Sequence, residues 1–405
     1  MGASAAIAGR IPNAFAQQTG ALKLPILYPL SGPVATVGEP CKKGAEIAIK
    51  LLNAGGGIMG RTIEPTFIDD KGSPTAATAL VREAISGGNN IVLGFVLSSQ
   101  IAATVPIMNE TKSILLTSSG SGVAFTHELF SRYVFPALDN DIQRANALAH
   151  LSAQKFPDVT TFMSVISDSK AYIDSYPNFQ KFCKEAYAAT GKKPPEFLAP
   201  LIAKLGTTDF RTQIGQVGNT NADAFYNFVV GADGVTFWKQ AQAFNLGNKF
   251  KAVVDQTLDI LVLKALKNNM PPNLWTLVGW WHGLHQDNPL SEAIYKEYVA
   301  ETNDRYPSGF VHYGVVILQA LAAAMKATGG KTDTESLIGA LESIKFMAPK
   351  GEMYFRKEDH MLIGTEDFIK VVPSDDEPGI KVVDAFKLST AELSPPPMPG
   401  KPYGQ

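Results

Sequence analysis

Two hydrophobic periods alternate along this chain, and that alternation restricts its fold more than any other feature. "LKLPILYPL" has the length and apolar density of a buried strand, while "CKKGAEIAIKLLNAGG" shows helical spacing and a glycine stop. The exchange repeats through "TIEPTFIDD", the Ser-capped helix "SPTAATALVREAISGG", "NIVLGFV", the helix "SQIAATVPIMNETK", "SILLTS" and a short strand near "RYVFPAL". Strands separated by helices predict a parallel sheet with helices on both faces. From Asn140 the rhythm restarts with the helix "DIQRANALAHLSAQKF" and the strand "VTTFMSVIS", and it runs on to "KFKAVVDQ" and "LDILVLKALKNN", predicting a second sheet of the same type. A chain of 405 residues exceeds what one ordinary core serves, so two α/β lobes are expected. After "LWTLVGWW" come three helical stretches, a hairpin-like "GEMYFRKEDHMLIGTEDFIKVV", and the tail "LSPPPMPGKPYGQ", which its prolines keep extended over the surface.

Composition narrows the function classes. With 45% hydrophobic residues, 18% charged residues and a net charge of −2, the chain reads as globular with no long-range attraction to nucleic acid. Its basic runs are only pairs, Lys42-Lys43 and Lys192-Lys193. No stretch reaches the roughly 18 uninterrupted apolar residues of a membrane helix. Residues 1–16 are rich in small side chains and close on Ala14-Phe15-Ala16, which has the form of a signal-peptidase site, so an exported, periplasmic protein is expected. The two cysteines, Cys41 and Cys183, sit in helical segments of different lobes and are expected as free buried thiols.

Several motifs match by letter and fail by context. Gly55-x-Gly57-x-x-Gly60 has the dinucleotide spacing, but it ends a helix and leads into a strand, the reverse of the order that brings phosphate to a helix N-terminus. His282-x-x-His285 lacks further ligands nearby, and Asp69-Asp70 reads as a solvated strand end rather than an acid–base pair. Neither a metal nor another cofactor is expected, and with no nucleophile motif neither is catalysis.

The serines remain. Ser98-Ser99 follow one buried-looking strand, and Ser118, Ser119 and Ser121 follow the next. In open parallel sheets ligands bind beyond the carboxyl ends of the strands, where small hydroxyl residues let a ligand approach backbone N–H groups and helix N-termini favour an anion. A carboxylate clamp and simple helix capping both fit these clusters.

The stretches "LYPLSGPVATVGEPCKKGAEIAIKLLNAGGGIMGRTIEPTFIDD", "VLGFVLSS", "ILLTSSGSG", "SVISDSKAYIDS" and "FWKQAQAFNLGNKF" resemble the solute-binding proteins of branched-chain amino acid ABC transporters. The resemblance implies the type I periplasmic binding fold, two doubly wound lobes joined by three crossover strands that close on a ligand. On that pattern lobe 1 spans 21–138 and 279–346, lobe 2 spans 139–278 and 347–390, 1–20 form a leader and 391–405 a Pro-rich tail. The ligand carboxylate falls to Ser98, with Ser99 beside it, and to Ser121; the Ser119 carbonyl accepts from a ligand ammonium; Tyr172 closes from the second lobe. Asp255 is nearest to the family's ammonium-binding carboxylate. Val230 stands where the family has a further tyrosine. Trp280 and Trp281 either line the cleft or pack in the core.

The implied partners are a small carboxylate or amino acid and an inner-membrane ABC permease, with the binding protein a monomer. Two ligand classes stay open: branched-chain amino acids, and aliphatic or aromatic carboxylates without an amino group. A ligand-sensing receptor module of the same fold and an α/β enzyme are the rival readings.

Overall fold

The computed structural model describes residues 20–404, so the export segment expected at 1–16 lies outside the described residues. The chain begins with β1 (Leu22–Tyr28), α1 (Ala35–Ala54), β2 (Ile63–Asp69), α2 (Pro74–Ser86), β3 (Ile91–Gly94), α3 (Ser98–Thr111), β4 (Ile114–Thr117) and β5 (Val134–Pro136). These strands form a parallel sheet in the order β2-β1-β3-β4-β5. Because both faces of the central strands β3 and β4 are covered, these are buried throughout and successive side chains serve different cores, whereas edge strand β2 carries exposed polar residues. Leu93 and Leu116 point to one core, shared with α1, while Val92 and Leu115 point to the other, with Val81 of α2 and Ile101 of α3. Ser73 caps α2 by accepting from Ala76 N at 3.3 Å, as its position before the helix predicts. Gly55, Gly57 and Gly60 lie at the end of α1 and in the turn into β2, matching the sequence reading.

The second lobe contains α4 (Asp141–Lys155), β6 (Thr161–Ser167), α5 (Lys170–Ala189), β7 (Glu196–Phe197), β8 (Leu201–Ala203), α6 (Arg211–Gly218), β9 (Ala224–Phe228), α7 (Gly231–Ala243), β10 (Ala252–Asp255), α8 (Ile260–Leu266) and β11 (Leu274–Val278). The chain then returns to the first lobe as α9 (Pro289–Thr302), α10 (Phe310–Ala327), α11 (Thr334–Leu341), β12 (Phe346–Ala348), β13 (Gly351–Phe355) and β14 (Leu362–Ile363). It crosses back as β15 (Thr365–Pro373) and β16 (Ile380–Ser389). The second sheet is parallel from β11 through β10, β9 and β6 to β7, but β15 lies antiparallel to β11 and β16 antiparallel to β15. The expectation of two sheets of one type is corrected at this edge, where a hairpin entering from the other lobe has no crossover helix to reverse its direction.

The third crossing also falls later than the expected 346/347 boundary. β12 pairs with β13 in register Phe346↔Met353, and Phe346, Ala348, Met353, Phe355 and Leu362 pack in the first-lobe core. The segment 347–363 therefore packs with lobe 1, and the chain crosses at Gly364. The hairpin-like stretch of the sequence is two short ladders divided between the lobes.

α10 has the length and mean hydropathy, 1.5, of a bilayer-crossing segment, although 72% of it is buried inside the protein. This helix corrects the expectation that no apolar stretch is so long. Its apolarity comes from being wrapped on all sides in a large core. Gly44 of α1 and Gly314 of α10 allow the two helices to touch backbone to backbone. A Cβ on either would stand 1.9 Å from a carbonyl oxygen of the other helix, that of Val311 or Cys41. Both cysteines are free and buried.

The tail lies over the surface, as its prolines predict, and is tied across both lobes. Leu393 is buried in the second-lobe core, and Asn146 Nδ2 donates to its carbonyl at 3.0 Å. Further on, Arg356 Nη1 donates to Pro395 O at 2.7 Å, and Gly400 N donates to His127 O at 2.7 Å.

Candidate functional site: a cleft between the lobes

A cleft of about 720 Å³ opens where the carboxyl ends of both parallel sheets face one another. Its first-lobe wall is built from the loops after β1, β3 and β4. Gly94 ends β3 at φ +116°, and a Cβ there would lie 2.1 Å from Leu27 O, so only glycine allows β3 to close on β1 before the chain turns toward the cleft. Ser98 opens α3, and its Oγ accepts from Gly122 N at 3.2 Å, joining the two serine loops. Asp69 organises the first loop by accepting from Leu30 N at 2.9 Å and from Ser31 Oγ at 2.6 Å, with the Ser31 bond as the leading cause that holds its carboxyl below the usual range. Asp70 is buried and accepts from Gly72 N, so the acidic pair shapes loops, one of which borders the cleft.

Six of the sequence-predicted residues line this space together: Ser98, Ser99, Ser119, Ser121, Tyr172 and Val230. Ser118 lies just beneath, fully buried and bonded to Tyr28 Oη at 2.5 Å. Tyr172, in the first turn of α5, rests on Phe228 with ring centroids 4.6 Å apart, and burial raises its phenol pKa. Val230 caps α7, its N–H donating to Ser167 Oγ at 3.2 Å.

Two predicted residues fall outside the cleft lining. Asp255 is fully buried, and its carboxylate accepts from Thr257 N at 2.6 Å, Leu258 N at 2.9 Å and the Asn227 amide. Burial pushes its pKa up to about 6, against the lowering effect of these bonds. This carboxylate closes the turn after β10, and it is the next residues, Gln256 and Thr257, that reach the cleft. Trp280 is wholly buried in the first-lobe core with Nε1 donating to Ser291 Oγ at 3.1 Å, while the Trp281 ring lies tilted against that of Tyr306. The alternative of core packing therefore holds for Trp280. The two histidines bond separate carboxylates, His282 to Glu292 at 2.7 Å and His285 to Asp367 at 2.7 Å.

Sequence reasoning missed the residues at the back of the cleft. Asp141 and Arg144 lie one helical turn apart at the start of α4, and Tyr313 comes from α10; all three line the space. Burial is the main cause that raises the Asp141 pKa, with Arg144 and Ser121 opposing it. For Arg144 burial opposes the charge, but Tyr313, Glu366, Asp139 and Asp141 outweigh it and keep the guanidinium protonated. The available signal was the "DNDIQR" stretch immediately after a crossover, where a helix must begin at the hinge.

Two parallel-sheet lobes, three crossings and a cleft walled by strand-end loops define a protein that encloses a small ligand. A family model described as periplasmic binding protein matches residues 21–376, and the chain belongs to that family. The chain is 23% identical over 359 residues to the leucine-, isoleucine-, valine-, threonine- and alanine-binding protein of Pseudomonas aeruginosa, covering 87% of this chain and 90% of the relative. It is 29% identical over 147 residues to Leu/Ile/Val-binding protein homolog 3 of Brucella melitensis, a match spanning 36% of this chain and only 39% of that relative. Among solved structures it resembles an ABC transporter solute-binding protein of Rhodopseudomonas palustris in complex with 3,4-dihydroxybenzoic acid. That likeness has a TM-score of 0.74 at 21% identity and covers 92% of this chain and 98% of the other.

Proposed function

We propose that this protein captures a branched-chain amino acid or a closely related small apolar carboxylate in the periplasm and presents it to an inner-membrane ABC permease, without turnover. The observation that carries the reading is the joining of the two serine loops, Ser98 to Gly122, on the first-lobe wall of a cleft that sets the apolar side chains of Val96, Leu97, Phe228, Val230 and Leu277 beside the polar groups of Asp141 and Arg144. Hydroxyls and the N-terminus of α3 receive the carboxylate, and the apolar wall receives the side chain. Of the two carboxylates that line the cleft, Asp259 accepts from Leu261 N and Gly309 N, which leaves Asp141 to meet an α-ammonium. Closure is a population shift, since a ligand touching both lobes stabilises the state in which they approach.

A second reading, a carboxylate lacking an amino group, draws support from the withdrawal of Asp255 into its own turn and from the aromatic faces of Tyr172 and Phe228. Thermal unfolding of ligand-stripped protein tests both readings. A ligand at 100 times its Kd adds about 2.7 kcal/mol of stability. Leucine, isoleucine or valine raising the midpoint by a few degrees supports the first reading; benzoate or 3,4-dihydroxybenzoate alone doing so supports the second. No shift with either set overturns both.

A further inference from the structure

Among the described residues that line the cleft, Arg144 is the one with a side-chain nitrogen buried without a partner. Its single hydrogen bond runs from Nη2 to Tyr313 Oη at 3.0 Å, and its Nε is buried without an acceptor. Among the described residues no carboxylate lies within ion-pair distance of it, although Asp139, Asp141 and Glu366 are near enough to favour its charge. Asp139 Oδ2 stands 3.3 Å and Glu366 Oε2 3.7 Å from Lys350 Nζ, while Asp139 Oδ1 and both Glu366 oxygens are buried without a hydrogen-bond partner. A partly buried guanidinium that lines the cleft with one nitrogen unpartnered gains when an anion arrives to complete its bonding. Its planar fork suits a carboxylate better than any neutral acceptor.

The position is equally telling. Asp141 N donates to Ser121 O at 3.0 Å, which brings the second serine loop within one helical turn of Arg144. Serine hydroxyls accept or donate to neutral and charged oxygens alike, so they orient a ligand without selecting its charge. We infer that Arg144 is the specificity-determining residue that demands an acidic group in the ligand, completing its hydrogen bonding with that group when the cleft is filled. This deepens the proposed function and rests on it.

The test compares each acid with its primary amide, leucine against leucinamide and benzoate against benzamide, by titration calorimetry on ligand-stripped protein. Wild type should bind the acid of the recognised pair about 10- to 100-fold more tightly than the amide, the range expected for a hydrogen bond to a charged group. In Arg144→Gln that ratio should collapse to within about threefold while the unliganded melting midpoint stays close to wild type. Arg144→Lys keeps the charge and loses the fork, so it should show an intermediate ratio, and it serves as the test if the Gln variant fails to fold. An undiminished acid-to-amide ratio in either variant, or equal binding of acid and amide by wild type, overturns the assignment of charge selection to Arg144. If neither acid binds wild type, the ligand reading itself fails and this inference falls with it.

Discussion

Ser98 and Asp255 show how two polar residues at strand ends take opposite roles. Ser98 is only partly buried and spends its Oγ lone pair on Gly122 N, leaving its O–H free to donate into the cleft. Asp255 spends its carboxylate on three consecutive donors of its own turn. Ser98→Ala, Ser121→Ala and Tyr172→Ala should each weaken ligand binding by about five- to tenfold, the worth of one ordinary hydrogen bond, while the unliganded unfolding midpoint hardly moves. Calorimetric titration of the three variants checks this, and unchanged affinity in all of them would remove these residues from the site. Asp255→Ala should do the reverse: a loss of about 1–3 kcal/mol in urea unfolding, because Thr257 N and Leu258 N are left buried without an acceptor.

At the level of elements, the contact of α1 with α10 bears most directly on stability. α10 passes through the first-lobe core beside α1, and the glycines at 44 and 314 are what allow the two backbones to meet. Gly44→Ala gains helix propensity of about 1 kcal/mol but drives a methyl against Val311 O, and the steric cost wins because both partners are backbone. Net destabilisation of about 1–3 kcal/mol by denaturant titration is expected; a stabilised variant would mean that the helices separate freely. α10 also presents Phe310 and Tyr313 to the cleft, so the same helix supports the core and the back wall of the site.

Across the whole molecule the three crossings converge on a buried charged cluster. Asp139 lies at the first crossing and Glu366 at the third, and both face Lys350; His285, after the second crossing, bonds Asp367. Burial first, and then the charge of Asp139, push the Glu366 carboxyl from 4.5 up to about 8, against Lys350 and Arg144. The folded state therefore holds a proton that the unfolded chain releases, so this group's contribution to stability is present below the unfolded value and is lost as pH climbs toward 8. Asp255, pushed up to about 6, acts in the same direction at lower pH, whereas His312, held neutral by burial, acts oppositely below its ordinary 6.5. From pH 6.5 to 8.5 Glu366 dominates among these three. The melting midpoint of wild type should fall across that range more steeply than that of Glu366→Gln, which carries no titrating proton; parallel profiles would exclude the carboxyl as the cause.

The strand and helix alternation, the two lobes, the glycine turn after α1 and the serine loops were legible from order and period alone, because a fully buried parallel strand and its covering helix are local patterns. Val230 and Tyr172 were legible only through likeness to a family, since a valine at a helix cap carries no chemistry of its own. The fate of Asp255, the burial of Trp280 and the crossing at Gly364 were not legible: each depends on which partner meets the residue from a distant part of the chain. Asp255 is turned inward by Thr257 and Leu258, Trp280 is claimed by Ser291, and 347–363 is held in the first lobe by the core around α10. Sequence determined where the polar strand ends are, through periodicity set by backbone geometry. Only the tertiary structure decided which of them face the ligand, and it placed Arg144, an ordinary helix-surface letter in the sequence, at the back of the cleft with a donor unfilled.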